Sequence, residues 1–390
     1  MLALFFKTGS LVIPMQSHYQ YIIVGAGCAG LQLADALLND PTLLTGSLLI
    51  IEASAIHEEK TWCFWYTAQH RYSHLVKKSW NNIAFRASDT SVTAALPDLC
   101  YQYISSTDFY EHQLTSLRKD ARVTFLFEPV NSIEWNNGNR QVHTPSGIIT
   151  ADYIFHSHHL SPPSSPTLWQ HFLGWEIKTD KDLFDPATAT LMDFSDATES
   201  QEVFFHYILP YSSRHALVEC TFFSQELLDQ EAYENLLRKY IENKLTTDYR
   251  IIEKETGKIP MTLVAPSPFS CTTGIIPIGS AAGCIKASTG YSFTRAMRHT
   301  QQIIAYLKKE IDHIPSPSSR RFLFYDRLFL SLIQQYPQKM PGIFAALFKR
   351  NKIQRILRFL DEATRLWEEV IIFSQLPKKN FLMVLFNIKK

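Results

Sequence analysis

The chain has 390 residues, of which 46% are hydrophobic, 13% aromatic and 19% charged, and its formal net charge is +1. This length corresponds to about two domains, and the composition excludes disordered, collagen-like and disulfide-scaffold proteins. A nearly neutral chain also lacks the basic footprint of a nucleic-acid-binding protein, so no nucleic-acid partner is expected.

The cysteines and the first residues bear on where the protein works. The 6 cysteines lie far apart without a C-x-x-C pair. We therefore expect a reducing, cytoplasmic setting, no disulfide framework and no bound metal. Residues 1–15 carry Lys7 but no small-residue cleavage site, so a secretory signal is not predicted and Met15 is an alternative start to Met1. No run approaches the roughly 18 apolar residues of a spanning helix.

The first predicted elements are a strand, a glycine-rich turn and a helix. The β-type run 19–24 leads directly into Gly25, Gly27 and Gly30, and a second β-type run ends at Glu52. A G-x-G-x-x-G motif in this context, with an acid about 20 residues further on, is typical of dinucleotide-binding βαβ units. Gly25 permits the turn, Gly27 lets backbone N–H groups approach a pyrophosphate, and Gly30 lets helix and strand pack closely. Glu52 is expected to accept hydrogen bonds from the adenosine ribose.

The middle of the chain is predicted to be a separate, mostly β region. Short β-type runs at 123–127, 203–209 and 216–221 alternate with Pro- and Ser-rich connections. A further strand, loop and helix pattern returns at 274–298. We therefore predict an α/β protein with a discontinuous Rossmann-like nucleotide-binding domain (17–90 and 271–310), an interleaved, mostly β substrate-binding domain (91–270) and a C-terminal helical segment (311–390).

The C-terminal segment has its own charge character. Residues 349–390 include ten basic and four acidic side chains, a net charge of +6. Ile353, Ile356, Leu357 and Leu360 follow helical spacing among these charges. Two interpretations stay open, a helix that lies on an anionic membrane surface and a core helix with a solvated basic face.

Several segments together resemble the flavin-dependent lycopene cyclases, specifically the bacterial β-cyclase branch. Beyond the glycine motif they are 60–65 (KTWCFW), 170–175 (QHFLGW), 191–194 (LMDF), 217–221 (LVECT), 258–261 (KIPM) and 288–293 (STGYSF). The resemblance implies FAD as cofactor, active in its reduced form, with NAD(P)H as the external reductant. It also implies lycopene and γ-carotene as substrates and a location at the cytoplasmic membrane surface.

The resemblance assigns Glu219 as the catalytic acid or base. Its neighbours on both sides are apolar, and burial there would raise its pKa and keep it protonated. A glutamate on an edge strand that faces solvent is the alternative.

The reaction that the resemblance implies begins with protonation of an alkene, which creates a carbocation. The faces of aromatic rings attract such a cation without bonding to it. The candidate pocket residues are therefore aromatic, namely Trp62, Phe64, Trp65, Trp175 and Tyr291, with ordinary core packing as the alternative for each. Further cofactor contacts are expected from backbone N–H groups in the two late loops, at Gly279, Gly283, Thr289 and Gly290.

Two other functions stay open. A flavin monooxygenase or reductase that acts on an isoprenoid would add oxygen or hydrogen, although flavin hydroxylases generally have Asp after the glycine where this chain has Ser280. A non-catalytic carotenoid-binding flavoprotein would leave its ligand unchanged.

Overall fold

The computed structural model describes residues 16–377, except 55–58, 88, 137, 158–167, 197–201 and 264–270. Both candidate starts, Met1 and Met15, and the basic residues of 378–390 lie outside the described residues.

The strands of the described chain are β1 (His18–Val24), β2 (Leu48–Ile51), β3 (Thr61–Tyr66), β4 (Lys78–Trp80), β5 (Asn82–Ala87), β6 (Thr90–Ala95), β7 (Cys100–Ser105), β8 (Val123–Leu126), β9 (Ser132–Asn136), β10 (Asn139–Thr144), β11 (Gly147–His156), β12 (Leu168–Lys178), β13 (Thr188–Asp193), β14 (Val203–Ser212), β15 (His215–Ser224), β16 (Arg250–Met261) and β17 (Ile275–Pro277). The helices are α1 (Cys28–Leu38), α2 (Ser106–Leu117), α3 (Gln230–Tyr240), α4 (Phe293–Leu307), α5 (Arg320–Gln335), α6 (Met340–Arg350), α7 (Ile353–Leu360) and α8 (Leu366–Gln375).

The first sheet has the order β8-β2-β1-β11-β10-β9, with β17 also paired to β11. Strands β8, β2, β1, β11 and β17 run parallel, as a βαβ unit requires. Both faces of this sheet are covered, so its central strands are apolar on both sides. All four residues of β2 are buried. Helices α1, α2 and α4 contribute to the core on one face. The predicted α/β fold is therefore confirmed.

The second sheet has the order β16-β12-β15-β14-β13-β5-β6, and a third, small sheet has the order β3-β7-β4. The strands group differently from the predicted division near residue 91. β5 and β6 belong to the second sheet, whereas β8 to β11 belong to the first. A short β-type run shows that a strand forms but does not show which sheet it joins, and this explains the difference.

The C-terminal helices α5 to α8 contribute to the same hydrophobic core as the second sheet. On α7, the apolar side chains of Ile353, Ile356 and Leu357 are buried in that core. The expectation that this side of α7 lies on a membrane is therefore wrong, since an amphipathic pattern is the same for a helix on a core and for a helix on a bilayer. Among the described residues, no helix is long and apolar enough to cross a membrane.

Candidate active site

The glycine-rich turn between β1 and α1 has the geometry that its motif predicts. Gly25 has φ +105°, and a Cβ there would lie 2.0 Å from Ser157 Oγ. A Cβ on Gly30 would lie 1.9 Å from the carbonyl oxygen of Gly25, so helix and turn are in direct contact. A Cβ on Gly27, in contrast, would meet nothing within 4 Å. The turn thus leaves open space beside Gly27 at the N-terminus of α1, where a phosphate fits.

Glu52 lies at this turn, as predicted. One carboxylate oxygen accepts a hydrogen bond from the backbone N–H of Ala26 at 2.7 Å and the other from that of Ala53 at 2.9 Å. The acid therefore fixes the turn through the backbone, and its predicted contact with a ribose stays a prediction.

The first of the two late loops approaches the glycine-rich turn, and three of the four predicted backbone donors form hydrogen bonds within their own loops. A Cβ on Gly279 would lie 3.1 Å from Cβ of Ala29, so this loop packs on the start of α1. Gly283 donates its N–H to the Ser280 carbonyl, and both Thr289 and Gly290 donate theirs to the Lys286 carbonyl. These three N–H groups thus close their own loops, and the expected cofactor contacts at Gly279, Gly283, Thr289 and Gly290 stay predictions.

One polar atom in these loops does fit a bound group. The hydroxyl oxygen of Thr289 is buried and has no hydrogen-bond partner in the described structure. It borders the two cavities described below. This orphaned hydroxyl is therefore available to hydrogen-bond a group bound in either cavity.

Glu219 lies on β15, an inner strand of the second sheet with β12 and β14 on either side. The alternative of a solvent-facing edge-strand glutamate is therefore wrong. Its carboxylate borders a cavity of about 810 Å³, which we call the acid cavity. Burial, and then the negative charge of Glu255, raise the pKa of Glu219 to about 8, against an opposing hydrogen bond from the Thr221 hydroxyl. Glu219 is thus mainly protonated at neutral pH.

Glu255 is a second cavity carboxyl, which the sequence did not reveal. It lies on β16 and borders the acid cavity. Its oxygens accept hydrogen bonds from the backbone N–H of Thr61 at 3.0 Å and from the Thr61 hydroxyl at 2.5 Å. Burial raises its pKa as well. Of the sequence signals, only the matching segment 258–261 lies close to it along the chain.

Aromatic side chains form much of the remaining wall of the acid cavity. Trp62, Tyr101, Tyr207 and Tyr291 border it. The hydroxyl groups of Tyr101 and Tyr291 are 3.1 Å apart and share a hydrogen bond. The predictions that Trp62 and Tyr291 line a cavity are therefore in agreement with the geometry.

The other three predicted pocket residues do not border the acid cavity. Trp65 contacts the Tyr291 ring, with 4.6 Å between centroids, and borders the neighbouring cavity. Phe64 stacks on Phe293, with 4.8 Å between centroids, within the first-sheet core. Trp175 is fully buried on the opposite side of β12 from Gly174, where the Arg238 guanidinium lies 5.4 Å from its ring centroid. Phe64 and Trp175 do not border either described cavity. Trp175 faces the other side of its strand from Gly174, whereas Phe64 shares the face of Trp62 but packs into the first-sheet core.

A second cavity, which we call the apolar cavity, lies between the second sheet and the C-terminal helices. Its walls are largely aliphatic and aromatic and include Leu191, Phe322, Phe344, Ile356 and Phe373. Tyr207, Thr289 and Tyr291 border both cavities, so the two adjoin at these residues.

A buried ionic cluster joins the C-terminal helices to the loop before α4. The ammonium of Lys286 lies 3.0 Å from the carboxylates of Asp326 and Glu362, and the Arg295 guanidinium also lies 3.0 Å from Glu362. Each acid thus has a cation, as buried charges require. No group of His, Cys, Asp and Glu suited to hold a metal ion occurs in the described part of the chain.

Comparisons with known proteins agree with the fold described above. A family model described as lycopene cyclase protein matches residues 20–385. The comparison with curated proteins gave no match. Among solved structures, a geranylgeranyl bacteriochlorophyll reductase-like protein from Thermoplasma acidophilum is 13% identical, with a TM-score of 0.56 over 95% of this chain and 96% of that chain.

Two further solved structures are similar. The flavin-dependent brominase Bmp2 is 12% identical, with a TM-score of 0.56 over 88% of this chain and 93% of its own. A flavoprotein/dehydrogenase from Cytophaga hutchinsonii is 12% identical, with a TM-score of 0.55 over 94% of this chain and 99% of its own. At such low identity these likenesses show a shared fold.

Proposed function

Because the chain belongs to the lycopene cyclase protein family, we propose that it is a lycopene β-cyclase, an isomerase of the intramolecular lyase type. It would close the ends of lycopene to β-ionone rings, giving β-carotene by way of γ-carotene. The observation that carries the proposal is the Glu219 carboxyl, which is protonated at neutral pH and borders an aromatic-walled cavity.

Ring closure begins with the transfer of a proton to carbon 2 of the terminal alkene. An alkene is a weak base, so the donor has to be shielded from water and kept protonated. Glu219 meets both conditions, since burial is the largest cause of its raised pKa. The tertiary cation at carbon 1 is then attacked by the neighbouring double bond, and a proton is lost.

The aromatic wall suits the cationic stage. Strong nucleophiles would capture the cation, whereas the faces of aromatic rings attract it by their quadrupole. Trp62, Tyr101 and Tyr291 offer such rings in the same cavity as Glu219.

The apolar cavity, with a volume of about 120 Å³, suits a short apolar part of a long polyene. It adjoins the acid cavity at Tyr207, Thr289 and Tyr291, and its walls have few polar atoms. A hydrocarbon in the acid cavity would therefore meet an apolar surface where the two cavities adjoin. This supports an apolar substrate, and we propose lycopene and γ-carotene.

FAD is the cofactor that we propose for the glycine-rich turn. The space beside Gly27, the position of Glu52 and the orphaned Thr289 hydroxyl fit a dinucleotide that reaches toward the acid cavity. Reduced FAD would supply negative charge that stabilises the nearby cation without net electron transfer. NAD(P)H would supply the reducing equivalents from outside.

We also propose that the protein meets its substrate at a membrane surface, since lycopene dissolves in lipid. The support comes from α8, where Leu366, Trp367 and Val370 are 61%, 56% and 66% exposed. Their spacing of three and four residues places them on one side of the helix. This exposed group replaces α7 as the candidate membrane contact.

Expression in lycopene-accumulating bacterial cells tests the function. We expect a pigment with the mass of lycopene and the absorption and retention time of β-carotene, and we expect lycopene to persist with the variant Glu219→Gln (E219Q). A product heavier by one oxygen or two hydrogens would favour the monooxygenase or reductase. Unaltered lycopene bound to the wild-type protein would favour the non-catalytic carotenoid-binding flavoprotein.

A further inference from the structure

The second sheet brings two carboxyl groups together across a glycine. Gly174 on β12 pairs with Glu219 on one side and with Glu255 on the other. Residues that pair directly in neighbouring strands project from the same face of a sheet. The two glutamates therefore stand on the same face, with about 10 Å between their α-carbons, which is two strand spacings.

Gly174 keeps the space between the two glutamates open. A Cβ at this position would lie 3.0 Å from Leu217 Cδ1 and 3.5 Å from Glu219 Cβ. A methyl group here would press on Leu217 and contact Glu219, and any side chain would stand between the two glutamates on the sheet face. The absence of a side chain lets both carboxyls reach the same part of the acid cavity.

The hydrogen bonds of the two glutamates differ. Glu255 accepts from two donors of Thr61, a backbone N–H and a hydroxyl. Donors of this kind favour the charged carboxylate. Glu219 accepts from one hydroxyl, that of Thr221, and the charge of Glu255 further disfavours its ionisation.

Two buried carboxyls in one cavity share one proton more readily than they carry two negative charges. The arrangement places that proton on Glu219 and the charge on Glu255. The cavity thus contains an acid and a base on the same sheet face.

We propose that Glu255 is a second catalytic residue, the base that accepts the proton lost from the newly closed ring. This inference rests on the proposed cyclase function. The proton lost from the ring then goes to Glu255 on β16, whereas the proton that starts the reaction comes from Glu219 on β15.

The step balances without an oxidant or reductant. The O–H bond of Glu219 breaks and its proton bonds to carbon 2 of the substrate. The π electrons of the neighbouring alkene form the bond between carbons 1 and 6, which leaves the cation at carbon 5. The C–H bond at carbon 6 breaks, its electrons form the ring double bond, and the proton passes to Glu255. Return of one proton from Glu255 to Glu219 restores both groups.

The position of the base also determines the ring. Loss of the proton from carbon 6 gives a β-ring, and loss from carbon 4 gives an ε-ring. A carboxylate held by Thr61 at one place in the cavity selects one of these two hydrogens.

The test replaces Glu255 by Gln (E255Q) and compares it with the matched variant E253Q. Glu253 lies two residues earlier on β16, is exposed and is another acid near Glu255. The purified holoproteins are given lycopene under reducing conditions, and the products are identified by chromatography, mass and NMR. Flavin absorbance and melting temperature establish that each variant is folded.

We expect E255Q to lower the rate of ring closure at least about 100-fold, a usual loss for a missing general base, and E253Q to keep the wild-type rate. The loss should hold at every pH. If Glu255 instead only adjusted the acidity of Glu219, E255Q would keep the maximal rate and shift the pH at which activity falls, and this result would overturn the proposal.

A second variant, Glu255→Asp (E255D), keeps a carboxylate but draws it back by one methylene. We expect its rate of ring closure to be at least about tenfold higher than that of E255Q, with a changed ratio of β- to ε-rings. If E255Q does not fold, E255D decides alone, and a wild-type rate with wild-type products would overturn the proposal. If the wild-type protein does not cyclise lycopene, the proposed function fails first.

Discussion

Replacement of Glu219 by Gln should change how the stability of the protein depends on pH. Its pKa is raised from an ordinary 4.5 to about 8 in the folded protein. A group whose folded pKa is raised contributes stability that is fully present below pH 4.5 and is lost as the pH rises to about 8. Each pH unit in this window costs about 1.4 kcal/mol, so the full loss is about 5 kcal/mol.

Gln is neutral at every pH, so E219Q should lack this loss. Denaturant unfolding of the flavin-free protein at pH 5, 6, 7 and 8 measures the effect. We expect the free energy of unfolding of the wild type to fall by about 4 kcal/mol relative to that of E219Q between about pH 5 and pH 8. The exposed variant E253Q is the control and should follow the wild type. Parallel curves for the wild type and E219Q would refute the reasoning, because they would mean that Glu219 titrates as an ordinary exposed glutamate.

Four further substitutions test other parts of the account. Gly27→Ala should abolish flavin binding, seen as lost flavin absorbance. The free energy of unfolding should change by no more than about 1 kcal/mol, because the new methyl group meets no protein atom within 4 Å. Gly174→Ala should lower the rate of ring closure at least about tenfold in a lycopene assay, since the methyl group would press on Leu217 and occupy the space between Glu219 and Glu255; an unchanged rate would mean that the glycine is not needed there. Trp175→Phe should keep the rate within about twofold and cost about 1–2 kcal/mol in denaturant unfolding, whereas a large rate loss would return Trp175 to the site. Lys286→Met should cost about 3–5 kcal/mol in the same unfolding assay, because the buried Asp326 carboxylate loses its cation and Glu362 keeps only Arg295; wild-type stability would contradict the described cluster.

The glycine-rich turn could be predicted from the sequence because its determinants are local. The positive φ of Gly25 and the tight contact at Gly30 depend on neighbouring residues of one βαβ unit. The burial of Glu219 was predictable for a similar reason, since the apolar residues beside it on β15 indicate an inner strand.

Glu255 could not be found in the same way. It joins the site because β12 pairs with β16 in a register that places Gly174 opposite it. That register is a long-range property, and β16 is exposed along much of its length, so its sequence pattern does not indicate a cavity.

The misplaced aromatic residues, Trp175 and Phe64, have separate causes. Trp175 follows Gly174 directly and so faces the other side of the sheet, although both belong to one matching segment. Phe64 has a different cause, since it shares the face of Trp62 on β3 but stacks on Phe293 within the first-sheet core. A segment that resembles a family thus predicts the strand, whereas the side that each residue faces requires the structure.

Whether Glu219 starts ring closure by protonating lycopene is tested most directly by converting lycopene with the purified, reduced protein in heavy water. The account predicts a cyclised product of the same elemental formula that has gained at least one deuterium, at carbon 2 of a new ring, where Glu219 delivers the solvent-derived proton. A cyclised product without deuterium at that carbon, or a product that contains oxygen or two added hydrogens, would contradict it.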